Sequence, residues 1–357
     1  MKILIITRDR SGRGGHVVVV NLVKELRKRG HEVDFVAFKP EGEDDFPDGA
    51  KLWHNSKVIL VSIKFFADTN EQTREYIDAA TEYLKDNRTK YAKIILDSWF
   101  CLIAGIKANI IDENIYHLAQ SSPIFEPEDS IKIWKALLFE LLPFYPVKRI
   151  TVSRTDSRFY LERYSQISDL MPLYIDEAYH KADFNVVDHS PIKLISSAGD
   201  FNIPDKGLDF LLDSLKNFSA FPFTLTLLAG RPIEKELVNY SFPIEVVSAS
   251  TPIEMREILL SHDIYLNASR KESFCFALAE AIAIGMPAVA LDSVGNRDYA
   301  QKDNYIWVEK DSEFLRELAC LKDIEKRKKL SIKAKKSMQK YTLDHTIDEL
   351  EKILELS

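Results

Sequence analysis

Asn267-Ala-Ser-Arg-Lys-Glu-Ser-Phe-Cys-Phe-Ala-Leu-Ala-Glu-Ala-Ile-Ala-Ile-Gly-Met-Pro287 is the stretch from which the fold of this chain can be read. An apolar run ending at Ala268 reads as a strand, Ser269 to Glu272 as a short polar loop, and Phe274 to Ile284 as a helix. Gly285 closes the helix and Pro287 prevents its continuation. Ala288 to Leu291 reads as the next strand. Strand, loop, helix and strand in this order form the repeating unit of a parallel α/β sheet. The first turn of a helix carries N–H groups without intrahelical partners and the positive end of its dipole, so a pyrophosphate placed there is stabilised without a metal. Glu272 precedes this helix and Glu280 lies about two turns inside it. One carboxylate can then reach a group being transferred while the other accepts hydrogen bonds from a ribose.

Working outward, the same alternation begins near Ile192. Lys193 to Ser197, Thr224 to Ala229, Ile244 to Val247 and Asp263 to Ala268 read as strands, with Gly207 to Asn217 as a helix. A separate alternation opens the chain. Lys2 to Ile6 reads as a strand, Ser11-Gly12-Arg13-Gly14-Gly15 as a loop, and Val19, Leu22, Val23 and Leu26 recur at helical spacing before Gly30. Further strands are expected at Glu32 to Phe38, Val58 to Ser62, Ile94 to Asp97 and Ile115 to Gln120, a helix over Gln72 to Asp86, and closure of this half around Arg149 to Ser153. Tyr174 to Pro191 is polar and unpatterned and reads as a linker. Ile324 to Leu356 reads as a charged helical region broken near Tyr341 to Asp344.

The 357 residues, 46% of them apolar, suffice for two such domains, each with its own core. A net charge of −7 speaks against nucleic acid as the main partner, because binding a phosphate backbone needs a basic face. Cys101, Cys275 and Cys320 are widely spaced, so neither a disulfide framework nor a structural zinc site is expected. The opening apolar run is too soon interrupted by Arg8, Asp9 and Arg10 for a signal peptide, and no run approaches the ~20 apolar residues of a membrane span. A cytoplasmic location is expected. Lys24, Arg27, Lys28 and Arg29 give the first helix a basic face that suits either peripheral contact with an anionic inner membrane surface or plain solvation.

In a chain with 55 acidic residues, two glutamates at one spacing carry little weight. With Ser269, Arg270, Phe274, Ala281, Gly285 and Pro287 also in register, the stretch resembles the signature of the retaining GT-B glycosyltransferases of family four, the glycosyl transferases group 1. The resemblance implies an α/β fold of two Rossmann-like parallel-sheet domains facing across a cleft. Residues 1–173 would bind the acceptor and residues 174–341 the nucleotide sugar, with a last helix, 342–357, packing back on the first domain. It also implies retaining transfer from a nucleotide-diphosphate sugar to a hydroxyl of a glycan or lipid-linked acceptor. The sugar nucleotide is then a substrate, no cofactor is needed, and a homo-oligomer or a partner glycosyltransferase remains open. No Asp-x-Asp triplet occurs, and no divalent metal is expected.

Residue by residue, the resemblance places Glu272 against the donor sugar and its leaving diphosphate, and Glu280 on the ribose hydroxyls. The amides of Ser273, Phe274, Cys275 and Phe276 receive the phosphates. Gly14 and Gly15 are similar to a loop that approaches the donor phosphate, and Lys206 to a lysine that binds the diphosphate. Arg270 belongs to the signature. The segment from Tyr116 through Pro123 and Phe125 to Pro127 resembles the rhamnosyltransferase-like branch, with Gln120 where many relatives carry a histidine on the donor sugar. Strand alternation turns His117 to the opposite face from Gln120. Asp97, at a strand end, either faces the C-terminal edge of the sheet or caps the helix that follows.

Ser273 and Cys275 stand where the family has glycines, and Asp200 follows Gly199 where the family has arginine. An acid beside two phosphates is repelled. Either Asp200 points away, or Arg270, Lys271 or Arg231 supplies the missing charge. These departures keep a second reading in view, a GT-B-shaped protein that binds a sugar nucleotide or a partner transferase without turnover. A nicotinamide-dependent enzyme fits Gly12, Gly14 and Gly15 poorly, since Thr7 to Ser11 separates the strand from the glycines and the next strand ends at Phe38 rather than at an acid.

Overall fold

The computed structural model describes residues 1–7, 14–40, 58–63, 69–110, 112–120, 142–237, 240–300 and 303–356. The chain divides into two compact units, Met1–Pro172 together with Thr346–Ser357, and Leu173–His345.

The first unit is built on strands β1 (Lys2–Thr7), β2 (Glu32–Pro40), β3 (Val58–Ile63), β4 (Lys93–Asp97), β5 (Ile115–Ala119), β6 (Lys148–Thr151) and β7 (Asp169–Leu170). Their order is β3-β2-β1-β4-β5-β6-β7, with every pairing parallel. Crossover helices cover both faces of a parallel sheet, which is why its inner strands are apolar without alternation. Ile3, Leu4, Ile5 and Ile6 are all buried. Leu22, Val23 and Leu26 of the helix Gly14–Lys28 are buried as their spacing predicts. One layer of the core joins Leu4, Ile6, Ile94 and Leu96 to Ile77, Leu84 and Leu102. The expected helix after Asp97 is Ser98–Lys107, and a further helix that the sequence did not announce is Arg154–Tyr164. The first is apolar almost throughout, so it shows no periodic face.

The second unit carries β8 (Ile192–Ala198), β9 (Phe223–Ala229), β10 (Ile244–Val247), β11 (Ile264–Asn267), β12 (Ala288–Leu291) and β13 (Ile306–Val308). The order is β10-β9-β8-β11-β12-β13, again parallel throughout. β13 escapes a sequence reading because three residues at a sheet edge are too few to show a period.

Tyr174 to Pro191 is not a bare linker. Tyr174, Ile175 and Tyr179 are buried, and the Ile175 amide donates to the Tyr341 carbonyl at 2.9 Å. Arg327, buried in the helix Ile324–Met338, donates to the Val187 carbonyl at 2.9 Å and pairs with Asp188 at 2.8 Å. Lys335 donates to the Ala182 carbonyl at 2.6 Å. The apolar anchors of this segment are too irregularly spaced to announce a packed element.

The helix Leu343–Leu354 belongs to the first unit from Thr346 onward. Ile347, Leu350 and Leu354 are buried, and the Thr346 hydroxyl donates to the Pro172 carbonyl at 2.7 Å. Arg29 pairs with Asp348 at 2.6 Å and Glu351 at 2.8 Å, and His31 meets Glu351 at 2.9 Å. Arg27 donates to the Val33 carbonyl and Lys28 pairs with Glu25, so three of the four basic residues noted on the first helix have partners within the unit. Among the described residues, no helix is long and apolar enough to cross a membrane.

Ile347→Ala is expected to cost roughly 2–4 kcal/mol, the usual range for truncating a buried aliphatic side chain. Glu351→Ala should cost less than about 1 kcal/mol, because its ion pairs are partly solvated. Urea denaturation of both variants checks this ranking.

Candidate functional site

In each sheet the strand order reverses beside one central strand, between β1 and β4 in the first unit and between β8 and β11 in the second. Loops leaving two adjacent strands at such a reversal diverge to opposite faces and leave a crevice beyond the strand ends, where α/β proteins bind ligands. The expected residues fall at these two places.

In the second unit, β8 is followed by a 3₁₀ turn, Pro204–Lys206, and β11 by the loop that carries Ser269 to Glu272. The two loops are pressed together. Gly207 has φ +71°, and a Cβ there would lie 2.1 Å from the Ala268 carbonyl oxygen, so neither backbone strain nor space admits a side chain. The Arg270 amide donates to the Asp205 carbonyl at 2.7 Å. This contact brings Lys206 to Glu272, with Nζ 2.6 Å from the carboxylate and both side chains about four-fifths enclosed. The Glu272 amide in turn donates to the Ser293 carbonyl at 2.9 Å, so its backbone is tied to the loop after β12.

The helix begins at Phe276, two residues later than the sequence suggested, because Cys275 adopts a left-handed conformation (φ 62°, ψ 65°) as its N-cap. A non-glycine residue there carries about 1 kcal/mol or more of strain. The position therefore suits glycine, the residue that the resemblance leads one to expect. No side-chain cap hydrogen bond is made at its start. Burial, and then the Glu272 charge, push the Cys275 thiol up to about 12, which keeps it protonated and unreactive. Phe274 is buried, its ring against Tyr299, Tyr341 and Phe276, and the Tyr299 hydroxyl donates to the Cys275 carbonyl at 3.0 Å. Phe274 thus anchors the loop by its ring, leaving Ser273 half-buried beside it.

Glu280 is half-buried on the same helix and accepts a hydrogen bond from Tyr179. Burial, and then the neighbouring Asp176 charge, raise its carboxyl to about 8, while the Tyr179 hydrogen bond acts in the opposite direction. Arg270 is engaged elsewhere: its guanidinium forks onto Asp311 and lies 4.6 Å from the centre of the Phe210 ring. The cation beside Asp200 is Arg231, at 3.4 Å, and Asp200 also accepts from the Asn202 amide at 3.0 Å.

In the first unit, Asp97 makes no cap hydrogen bond to the helix that follows it. Its carboxylate accepts instead from the Thr7 hydroxyl at 2.6 Å and the Gln120 amide at 2.7 Å. Gln120 and Asp97 lie 23 positions apart, so nothing local in the sequence announces the contact. Burial raises Asp97 to about 6 against the pull of both donors. Gly15 lies beside Gln120, where a Cβ would meet Oε1 at 2.7 Å. Gly14 begins the helix next to it. His117 is buried within the sheet, opposite Arg149 in register. Burial, and then Arg149, hold His117 well below the ordinary histidine range, so it is neutral and part of the core. Ser11 to Arg13, and the stretch holding Pro123, Phe125 and Pro127, lie outside the described residues.

Residues 192–322 match the family model described as "Glycosyl transferases group 1". Among solved structures, the chain is similar to the sucrose-phosphate synthase of Thermosynechococcus elongatus, with a TM-score of 0.79 at 15% identity over 99% of this chain and 98% of that one. It is also similar to Anabaena HepE in complex with UDP and glucose, with a TM-score of 0.71 at 15% identity over 99% of this chain and 99% of that one. WaaG, a glycosyltransferase involved in lipopolysaccharide biosynthesis, aligns with a TM-score of 0.73 at 13% identity over 99% of both chains. The fold is that of the GT-B glycosyltransferases. No curated protein matches the chain by sequence.

Glu280 gives a pH prediction. Its carboxyl titrates near 8 when folded and near 4.5 when unfolded, so across that window the folded chain keeps a proton that the unfolded chain has lost. Its contribution to stability is therefore greatest at the acid end and declines as pH rises through the window. Glu280→Gln should flatten the fall of the thermal midpoint between about pH 6 and 8, and leave the shallower contribution of Asp97, which acts between 3.8 and about 6. Melting curves across the pH range test the difference.

Proposed function

We propose that the protein is a retaining glycosyltransferase that takes a sugar from a nucleotide-diphosphate donor and delivers it to a hydroxyl of a glycan or lipid-linked acceptor. The observation that carries this reading is the Lys206–Glu272 pair at the β8/β11 reversal, just ahead of a helix that begins without a capping side chain. Lys206 supplies positive charge for the departing diphosphate, and the amides from Ser273 to Phe276 supply hydrogen bonds, so charge developing in the transition state meets fixed dipoles. Glu272 faces the sugar carbon as positive charge grows there. Glu280 binds the ribose through its carboxyl group, exchanging the Tyr179 hydroxyl for those of the sugar. Ser273 and Cys275 tighten the surroundings of the donor where glycines would leave room.

The acceptor hydroxyl attacks the face from which the diphosphate leaves, and the phosphate oxygen takes its proton. The bond from the sugar carbon to the diphosphate breaks as the new glycosidic bond forms, which accounts for retention without a nucleophile on the protein. Arg231 covers the charge of Asp200 and serves in place of the arginine missing after Gly199, while Arg270 supports the loop through Asp311. In this reading no metal or cofactor is required and the enzyme works in the cytoplasm, with acceptors reached in solution or at a membrane surface. HepE bound to UDP and glucose and WaaG in lipopolysaccharide biosynthesis make uridine donors and glycan acceptors the first to test.

Nucleotide-diphosphate release from a panel of nucleotide sugars is the direct assay. Turnover of one donor by the wild type, with a loss on the order of a hundredfold or more in Glu272→Ala and Lys206→Ala, is the expected result. Tight nucleotide binding with no turnover for any donor and acceptor pair would instead establish a sugar-nucleotide-binding protein of the same shape. The anomeric configuration of the product, read by NMR, decides retention.

A further inference from the structure

The first unit holds a charged group that the proposed mechanism does not use. Asp97 ends β4 at the reversal beside β1, is 5% exposed, and receives hydrogen bonds on both oxygens, from Thr7 at the end of β1 and from Gln120 just after β5. A carboxylate has only acceptors to offer, so the one end of the Gln120 carboxamide that can face it is the NH₂ group. The carbonyl end must then point the other way. Gly15 stands there, where a Cβ would lie 2.7 Å from Oε1 and displace the carboxamide.

We propose that Asp97 is a positioning residue: it fixes which way round the Gln120 carboxamide sits, so that Oε1 is presented beside Gly15 as a hydrogen-bond acceptor for a sugar hydroxyl. An amide left to itself turns over at little cost and would offer a donor as readily as an acceptor. Held by a buried carboxylate through a charge-assisted hydrogen bond, it offers one polarity only. The partner is accordingly a hydroxyl that donates, on either the donor sugar or the acceptor, and a deoxy position there is recognised poorly because the carbonyl is left unpaired. Thr7 completes the arrangement by holding the second carboxylate oxygen, which fixes how the carboxylate is turned toward Gln120. The role of the hydroxyl rests on the transferase reading; the orientation of the amide does not.

Two measurements separate these claims. With selectively ¹⁵N-glutamine-labelled protein and no substrate, the side-chain amide pair that disappears in Gln120→Ala should include a proton shifted downfield by its carboxylate partner, and that shift should be lost in Asp97→Asn. A Gln120 pair in the wild type with no such shift overturns the proposal, and this reading requires only the wild type and Gln120→Ala to fold. In the transfer assay, Asp97→Asn should lower kcat on the order of tenfold with a smaller change in KM for the sugar nucleotide. The double variant Asp97→Asn with Gln120→Ala should then be within about twofold of Gln120→Ala alone, because one residue acts through the other. Losses that multiply instead would show that Asp97 acts independently of Gln120, against the proposal. Donor hydrolysis without acceptor locates the hydroxyl: a defect there places it on the donor sugar, and a defect in transfer alone places it on the acceptor. Failure to find turnover in the wild type, with the downfield proton present, counts against the transferase reading and leaves the orientation of Gln120 standing.

Discussion

A parallel sheet whose strand order turns back on itself cannot connect all its strands on one side, and the candidate chemistry of this protein depends on that constraint. Beside β8 and β11 the connections run on to opposite faces of the sheet, while the loops at the two strand ends touch. Lys206 leaves from one and Glu272 from the other, and they meet because Gly207 lets its turn settle against the Ala268 carbonyl. The same geometry recurs beside β1 and β4, where Thr7 and Asp97 join across the equivalent gap. Two sheets with little sequence in common have thus placed polar side chains at corresponding points of their topology.

These arrangements are held against electrostatic cost. Asp97 and Glu280 are both acids whose charged forms are disfavoured by their surroundings, and Cys275 occupies a backbone conformation better suited to glycine. Residues kept in unfavourable states persist when the surrounding structure over-determines them, and such residues cluster where a protein binds or transforms something. Here the determining contacts can be named: Thr7 and Gln120 around Asp97, Tyr179 beside Glu280, and the Phe274, Tyr299 and Tyr341 rings under the loop that ends at Cys275.

Much of the fold was legible in the sequence, for a physical reason. Buried parallel strands are continuous apolar runs, and Ala288–Leu291 lies where the hydrophobic pattern put it. What was hidden lacked a period. The short edge strand Ile306–Val308 and the anchored segment from Tyr174 to Pro191 give no repeating signal. At the candidate site, the closeness of Lys206 to Glu272 is a contact between residues 66 apart, and only folding reveals it. Asp97 could be seen at a strand end, but not that it would take Gln120 rather than a helix amide as its partner. Arg270, prominent as part of a signature, was found on Asp311, which nothing in its own neighbourhood of sequence announces.

The return of the last helix to the first unit has a consequence for how the protein is made. The second unit is one uninterrupted segment, Leu173–His345, whereas the first needs Thr346 and the residues after it. The second unit can therefore close its sheet from contacts within one segment. The first, though begun earlier, leaves Arg29, His31 and the surface beneath Ile347 and Leu350 uncovered until Thr346 and the residues after it arrive. The first unit is thus closed by contacts such as Arg29 with Glu351, 322 positions apart, whose loop-closure entropy must be met before they can form.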